Sequence, residues 1–265
     1  MRSRTEIVNR LRRIKPTVRH YLSRIGTGPV YVFHHIPKTG GSSVNRMLPL
    51  WFYRIRDRRL RVNPQDWTAG HVRGPPIDLS RLRANDCLAG HWAVSGEYLH
   101  ERYPEILADP RYRLFTFVRE PLEMKLSLCY WEHRQGKEFT SRSMEEELLG
   151  RPNYLAERLP CTGVDYERVL SRYFFIGVTE YMQQSFDHLA DLVGRSKVRL
   201  PHANRSRTAS DKVELSSAFR REFRELNALD YLVYDHCLSR FTATGGLATE
   251  SEISAANQAR RADSG

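Results

Sequence analysis

The segment Val30-Tyr31-Val32-Phe33-His34-His35-Ile36 runs straight into Pro37-Lys38-Thr39-Gly40-Gly41-Ser42-Ser43, and no other stretch limits the possible folds as much. β-Branched and aromatic residues favour a buried strand, which Pro37 and the Gly-Gly pair bring to an end. The spacing predicts a helix from about Ser43, with Val44, Met47 and Leu48 turned inward. A strand, loop and helix in this order is the unit that opens nucleotide-binding α/β folds.

The unit recurs along the chain. Cys87-Leu88-Ala89 reads as a short strand leading into Gly90-His91-Trp92. Arg113-Leu114-Phe115-Thr116-Phe117-Val118 reads as another, with Arg119-Glu120-Pro121 starting a helix. Tyr173-Phe174-Phe175-Ile176-Gly177-Val178 reads as a third, followed by a helix from about Glu180 to Val193. Alternating strands and helices predict an α/β fold, a central parallel sheet with helices on both faces, as one domain over 29–241. Residues 51–86 are Arg-rich and poorly periodic and are expected to be irregular surface. The polar stretch 134–170 has no clear period, and its Glu145-Glu146-Glu147 run reads as a solvated helix face. Two closing helices are expected through Leu215, Phe219, Phe223 and Leu226, then Leu229, Val233, Cys237 and Phe241.

The ends read differently. Residues 1–28 place Ile7, Leu11, Ile14, Val18, Leu22 and Ile25 at helical spacing among arginines, with Pro16 as an interruption. That segment is either a basic helix or arm on the domain, or a peripheral contact with anionic lipid. The Ala-, Gly- and Ser-rich tail, 242–265, is expected to be disordered.

Across its 265 residues the chain has a net charge of +11, which calls for an anionic partner: nucleic acid, a membrane surface, a polyanionic glycan or a highly charged cofactor. The four cysteines lie far apart with no CxxC pair, so neither a zinc site nor a redox motif is suggested, and a reducing compartment is expected. With no long apolar run and no signal-peptide core, a soluble cytoplasmic protein is the expectation.

A glycine-rich turn between strand and helix offers backbone N–H groups to an anion at the positive end of the helix dipole. Lys38 adds a full charge, and Ser42 and Ser43 add hydroxyl donors. The nucleoside-triphosphate P-loop, GxxxxGK[ST], puts its lysine after the glycines. Here the lysine comes before them.

His35-Ile36-Pro37-Lys38-Thr39-Gly40-Gly41-Ser42-Ser43 resembles the 5′-phosphosulfate loop of the carbohydrate sulfotransferases related to heparan sulfate 2-O-sulfotransferase. Val118-Arg119-Glu120-Pro121 through Ser127 is similar to that family's 3′-phosphate segment, an arginine, Asp-Pro, and a serine eight residues after the arginine. Glu120 stands where the family has aspartate, and Met124, with Lys125 beside it, where the family has an arginine. The resemblance spans about 30–241. It implies a P-loop-like fold and 3′-phosphoadenosine 5′-phosphosulfate (PAPS) as sulfuryl donor, held by residues 37–43 together with Arg119 and Ser127. Asn204, Arg205 and Ser206 would close over it.

Gly90-His91 resembles the position of the family's histidine base, and an imidazole with an ordinary pKa of about 6.5 suits that work. Gly70-His71 is a rival with a similar local pattern. Trp92, Trp131 and Arg134, with His71, are candidate contacts for a carbohydrate acceptor. On this reading Lys38 stabilises the departing phosphate and no metal or nucleic acid is needed. The rivals are a P-loop small-molecule kinase, which needs Mg²⁺ and an acidic ligand at a strand end, and a noncatalytic polyanion-binding module.

Overall fold

The computed structural model describes residues 24, 27–57, 59–61, 71–92, 97–134, 141–200 and 214–244. The basic segment 1–28, apart from Arg24, Thr27 and Gly28, and the expected tail beyond Thr244 lie outside them.

The described strands, in chain order, are β1 (Val30–His34), β2 (Tyr53–Asp57), β3 (Arg59–Arg61), β4 (His71–Arg73), β5 (Asp86–Gly90), β6 (Tyr112–Val118) and β7 (Phe175–Val178). The helices are α1 (Gly41–Met47), α2 (Leu99–Arg102), α3 (Pro104–Ala108), α4 (Pro121–Arg134), α5 (Ser141–Leu149), α6 (Tyr154–Arg158), α7 (Tyr166–Leu170), α8 (Met182–Leu192), α9 (Ser217–Leu226) and α10 (Ala228–Thr244). Five strands make one sheet in the order β2-β5-β1-β6-β7, every pair parallel. β3 and β4 form a separate antiparallel pair. The predicted α/β architecture is what the chain adopts.

Period-two alternation sends two kinds of side chain to the two faces of the sheet. Val30, Val32, Leu88, Leu114, Ile176 and Val178 meet one apolar cluster, which Val233, Cys237 and Phe241 of α10 cover. Tyr31, Phe33, Phe115, Phe117 and Phe175 meet another, covered by Phe186 and Leu189 of α8. Phe33 and Phe115 stack there at 5.1 Å between ring centroids. Both faces are dry, which is why these strands read as nearly continuous apolar runs.

Two stretches depart from expectation. Residues 51–86 are not simply irregular: β2 runs beside β5 as an edge strand, from Tyr53 opposite Asp86 to Asp57 opposite Gly90. Arginines at 54 and 56 and an exposed Tyr53 hide its period, as suits an edge. The stretch 134–170 holds α5, α6 and α7. α6 is too short for a visible period and is fixed from outside itself. The Asp230 carboxylate accepts from the N–H groups of Leu155 (2.9 Å) and Ala156 (2.7 Å). Asn153 Oδ1 in turn accepts from Leu229 (3.1 Å) and Asp230 (3.2 Å), so α6 and α10 cap one another. α10 itself continues to Thr244, past the expected boundary at 241. Among the described residues, no helix is long and apolar enough to cross a membrane. All four cysteines are buried free thiols.

Asp57 closes β2 with a buried polar hub. Its carboxylate accepts from Arg102 Nε (2.8 Å) and Nη2 (3.1 Å), Trp92 Nε1 (2.9 Å) and Tyr103 Oη (3.1 Å). The Asp57 and Arg102 side chains are only 2% and 3% exposed, so removing one partner strands a charge out of water. Asp57→Ala should therefore cost about 3–5 kcal/mol, read as a lower urea midpoint with an unchanged slope.

Candidate functional site

β1 ends at His34, and the chain turns through Pro37 to Gly40 into α1. Two residues of this turn are left-handed, Lys38 (φ 68°) and Gly40 (φ 76°). Glycine suits position 40 by its left-handed φ, and a Cβ there would also push aside the flexible end of Met182. Turns of this kind gather N–H groups into an anion-binding concavity. The buried Thr39 hydroxyl donates to Ile36 O (2.9 Å), so it staples the turn. Ser42 is exposed and Ser43 half-buried at the start of α1.

The second segment meets this loop. Arg119, at the end of β6, donates from Nη1 to Lys38 O (3.3 Å), and its Nη2 lies 3.4 Å from the exposed Glu123 carboxylate. Thr179, after β7, donates to both Thr39 O (2.9 Å) and Val118 O (2.8 Å), tying the loop to two strand ends. Glu120 acts as N-cap of α4, its carboxylate accepting from Glu123 N (2.7 Å) and from the Tyr231 hydroxyl (2.6 Å). Ser127 is half-buried in the second turn of α4. Lys38 lies 5.6 Å above the Trp131 ring. Burial, with the charges of Arg134 and Arg119, lowers the Lys38 ammonium to about 8.

A cleft of about 650 Å³ opens beside α1. His35, His91, Ser42, Asn45, Arg46, Arg54, Arg56 and Asp57 are among its lining. His91 follows β5, and its ring lies 3.8 Å from that of His35. Arg54 and Arg56 had no local signal of function and reach the cleft because β2 lies beside β5, a pairing the arginine-rich pattern concealed; His35, which opens the loop motif, and Asn45 of α1 reach it from the loop and the helix that follows.

The remaining candidates are distributed as follows. His71 belongs to the β3–β4 pair, and its side chain lies outside the described residues, as do Asn204, Arg205 and Ser206. Trp92 is fully buried, its indole bonded to Asp57 and its ring edge-on to Tyr103, so it fills the core instead of facing an acceptor. Trp131 and the exposed Arg134 stand beside Lys38 and do not line the histidine cleft. Met124 is buried in the core, and Lys125 turns away to donate to Gly150 O and Arg151 O at the end of α5. Among the described residues, no group of three or more His, Cys, Asp and Glu side chains could hold a metal ion.

No family model matches the chain, and no curated protein matches it in sequence. Among solved structures it is similar to a sulfotransferase from Alicyclobacillus acidocaldarius, with 15% identity, a TM-score of 0.48, and coverage of 80% of this chain and 96% of that one.

Lys38 loses its proton as pH rises through about 8, and an anion bound beside it favours the charged form. With adenosine 3′,5′-bisphosphate as an anionic probe of the Lys38 side, any affinity should decline above that pH. Lys38→Arg should bind without that decline, since a guanidinium stays charged. Calorimetry from about pH 6.5 to 9.5 reads both; a flat wild-type profile would take Lys38 out of the anion site.

Proposed function

We propose that this chain is a PAPS-dependent sulfotransferase acting on a hydroxyl of a carbohydrate or glycoconjugate. One observation carries the reading: the loop at 37–43 brings Lys38 and Arg119 together, and its Ser42 lines a cleft that also holds His35 and His91. A donor with phosphates on both the 3′ and the 5′ oxygen of its ribose suits the first, and an acceptor hydroxyl suits the second.

In the proposed reaction the acceptor oxygen forms a bond to sulfur while the bond from sulfur to the bridging phosphate oxygen breaks. His91 takes the hydroxyl proton, and Lys38 with the loop N–H groups meets the charge left on the departing phosphate. Arg119 and Ser127 hold the 3′-phosphate, for which a planar guanidinium fork is well shaped. The cleft's size suits a saccharide segment, and Arg46, Arg54 and Arg56 favour one carrying negative charge.

A P-loop kinase would need an acidic metal ligand at a strand end. Asp57 stands at such an end, but its carboxylate is occupied by Arg102, Trp92 and Tyr103. A noncatalytic polyanion-binding module has no use for a base beside a phosphate loop.

Two outcomes test the reading. By calorimetry the protein should bind adenosine 3′,5′-bisphosphate far more tightly than AMP, and Arg119→Ala should erase most of that preference. Equal affinity for the two nucleotides in the wild type would remove the donor assignment. In turnover with radiolabelled PAPS and a panel of saccharides, His91→Ala should lose about 10²–10⁴-fold in kcat with bisphosphate affinity unchanged. His71→Ala should alter acceptor KM at most, and a dead His71 variant beside an active His91 variant would transfer the base role to His71.

A further inference from the structure

His35 is buried at the point where β1 gives way to the phosphate loop, and three neighbours fix its ring. Phe33 stacks on it nearly parallel at 5.4 Å. The Asn45 side-chain amide, from α1, reaches its Nδ1 at 3.0 Å. Gly41 supplies the third constraint by having no side chain, since a Cβ there would sit 1.9 Å from Cδ2 and 2.0 Å from Nε2 of this ring. The phosphate loop is therefore shaped around His35 as well as around an anion. His91 lies 3.8 Å away, its ring tilted by 36°.

We propose that His35 is a positioning residue for His91, holding the base by ring contact and kept uncharged by Asn45, so that the acceptor's proton goes to His91 alone. The chemistry follows from the donors and acceptors present. With the Asn45 NH₂ turned to the ring, Nδ1 of His35 accepts and its proton sits on Nε2. Adding a second proton at Nδ1 would break that bond and set two cations face to face. Arg46 on α1 and Arg54 and Arg56 on β2, opposed by Asp57, also face the cleft and add further cost to a second positive charge. One added proton thus belongs to the pair, and it resides on the less buried ring, half-buried His91.

This inference rests on the sulfotransferase reading for the reaction served, and two arms separate the two. The first needs no turnover: histidine-selective ¹⁵N NMR across about pH 5.5–8 on the full chain. His35 should stay neutral with its proton on Nε2 while His91 titrates. Asn45→Ala should let His35 share the proton and lower the His91 midpoint by at least about half a unit. A His35 that carries a proton on Nδ1 in the wild type near neutral pH, or a His91 midpoint indifferent to Asn45→Ala, would overturn the proposal.

The second arm is kinetic, with radiolabelled PAPS and unsulfated chondroitin. His35→Gln should lower kcat about 10²-fold with acceptor KM and bisphosphate affinity within about twofold. The double variant with His91→Ala should be no slower than His91→Ala alone, because His35 acts through His91. Losses that multiply, or a loss of bisphosphate binding in His35→Gln, would instead make His35 an independent part of the donor loop. Should His35→Gln fail to fold, Asn45→Ala carries the same comparison with a smaller loss. A wild type that transfers no sulfuryl group counts against the sulfotransferase reading, and the titration then decides the histidine pair by itself.

Discussion

Everything at the site depends on β1 lying between β5 and β6 with all three strands parallel. The chain leaves β1, fills the sheet on one side with β2 and β5, then crosses to β6 and β7 on the other. A ligand crevice opens at such a crossing, beyond the carboxyl ends of the strands. The ladder continues past β1 through His35 N to Gly90 O (2.9 Å), and the Thr116 hydroxyl donates to His34 O (2.7 Å). The turn after β1, His91 and Arg119 are thus set in register by the same hydrogen bonds that build the sheet. Moving any one of them means slipping a strand that is dry on both faces.

That rigidity lets the fold hold an unfavourable charge arrangement. Lys38, Arg119 and Arg134 are close enough to act on one another, and Lys38 is partly out of water. Its folded pKa lies below its unfolded value, so the unfolded chain binds the proton more tightly. The site consequently detracts from stability at neutral pH, and the deficit fades as pH rises from about 8 to 10.5. The surrounding packing, chiefly the aromatic cluster over β6 and β7 and the mutual capping of α6 and α10, supplies the stability against which this local cost is held.

How much of this was legible in the sequence depended on whether the cause was local. β1, β5, β6 and β7 could be read because burial on both faces leaves nearly unbroken apolar runs. The turn between β1 and α1 could be read because turn chemistry and strand ends are short-range features. β2 could not, since Ile55 stands between arginines and the strand is recognisable only by what it pairs with. α6 has five residues and takes its cap from Asp230, 75 positions from Leu155, so no local pattern marks it. The same limit explains Trp92. Next to His91 it looks like a ring for stacking on a sugar, and only the distant Asp57 and Tyr103 show that its indole belongs to the core. The cleft's arginines were visible merely as charge, because a patch needs a surface before it has a position.

The departures around Arg119 follow from the same geometry. Aspartate before proline is a short N-cap, whereas Glu120 is one methylene longer. Its reach lets the carboxylate cap Glu123 N and still accept from Tyr231, so α4 is tied to α10 in addition to being capped. Glu180 then accepts from Glu120 N at 3.0 Å, which binds the segment to the turn after β7 as well. Met124 and Lys125 fit this arrangement: one fills the core and the other caps α5, so neither side chain is placed to pair with a phosphate. Arg119 is left as the guanidinium of this segment facing the loop, restrained by the Lys38 carbonyl on one side and only weakly by an exposed glutamate on the other. A cation held mainly through a neutral carbonyl keeps most of its charge available to an incoming anion. The longer acid at position 120 therefore shifts the structural work to the capping network and leaves Arg119 outside it.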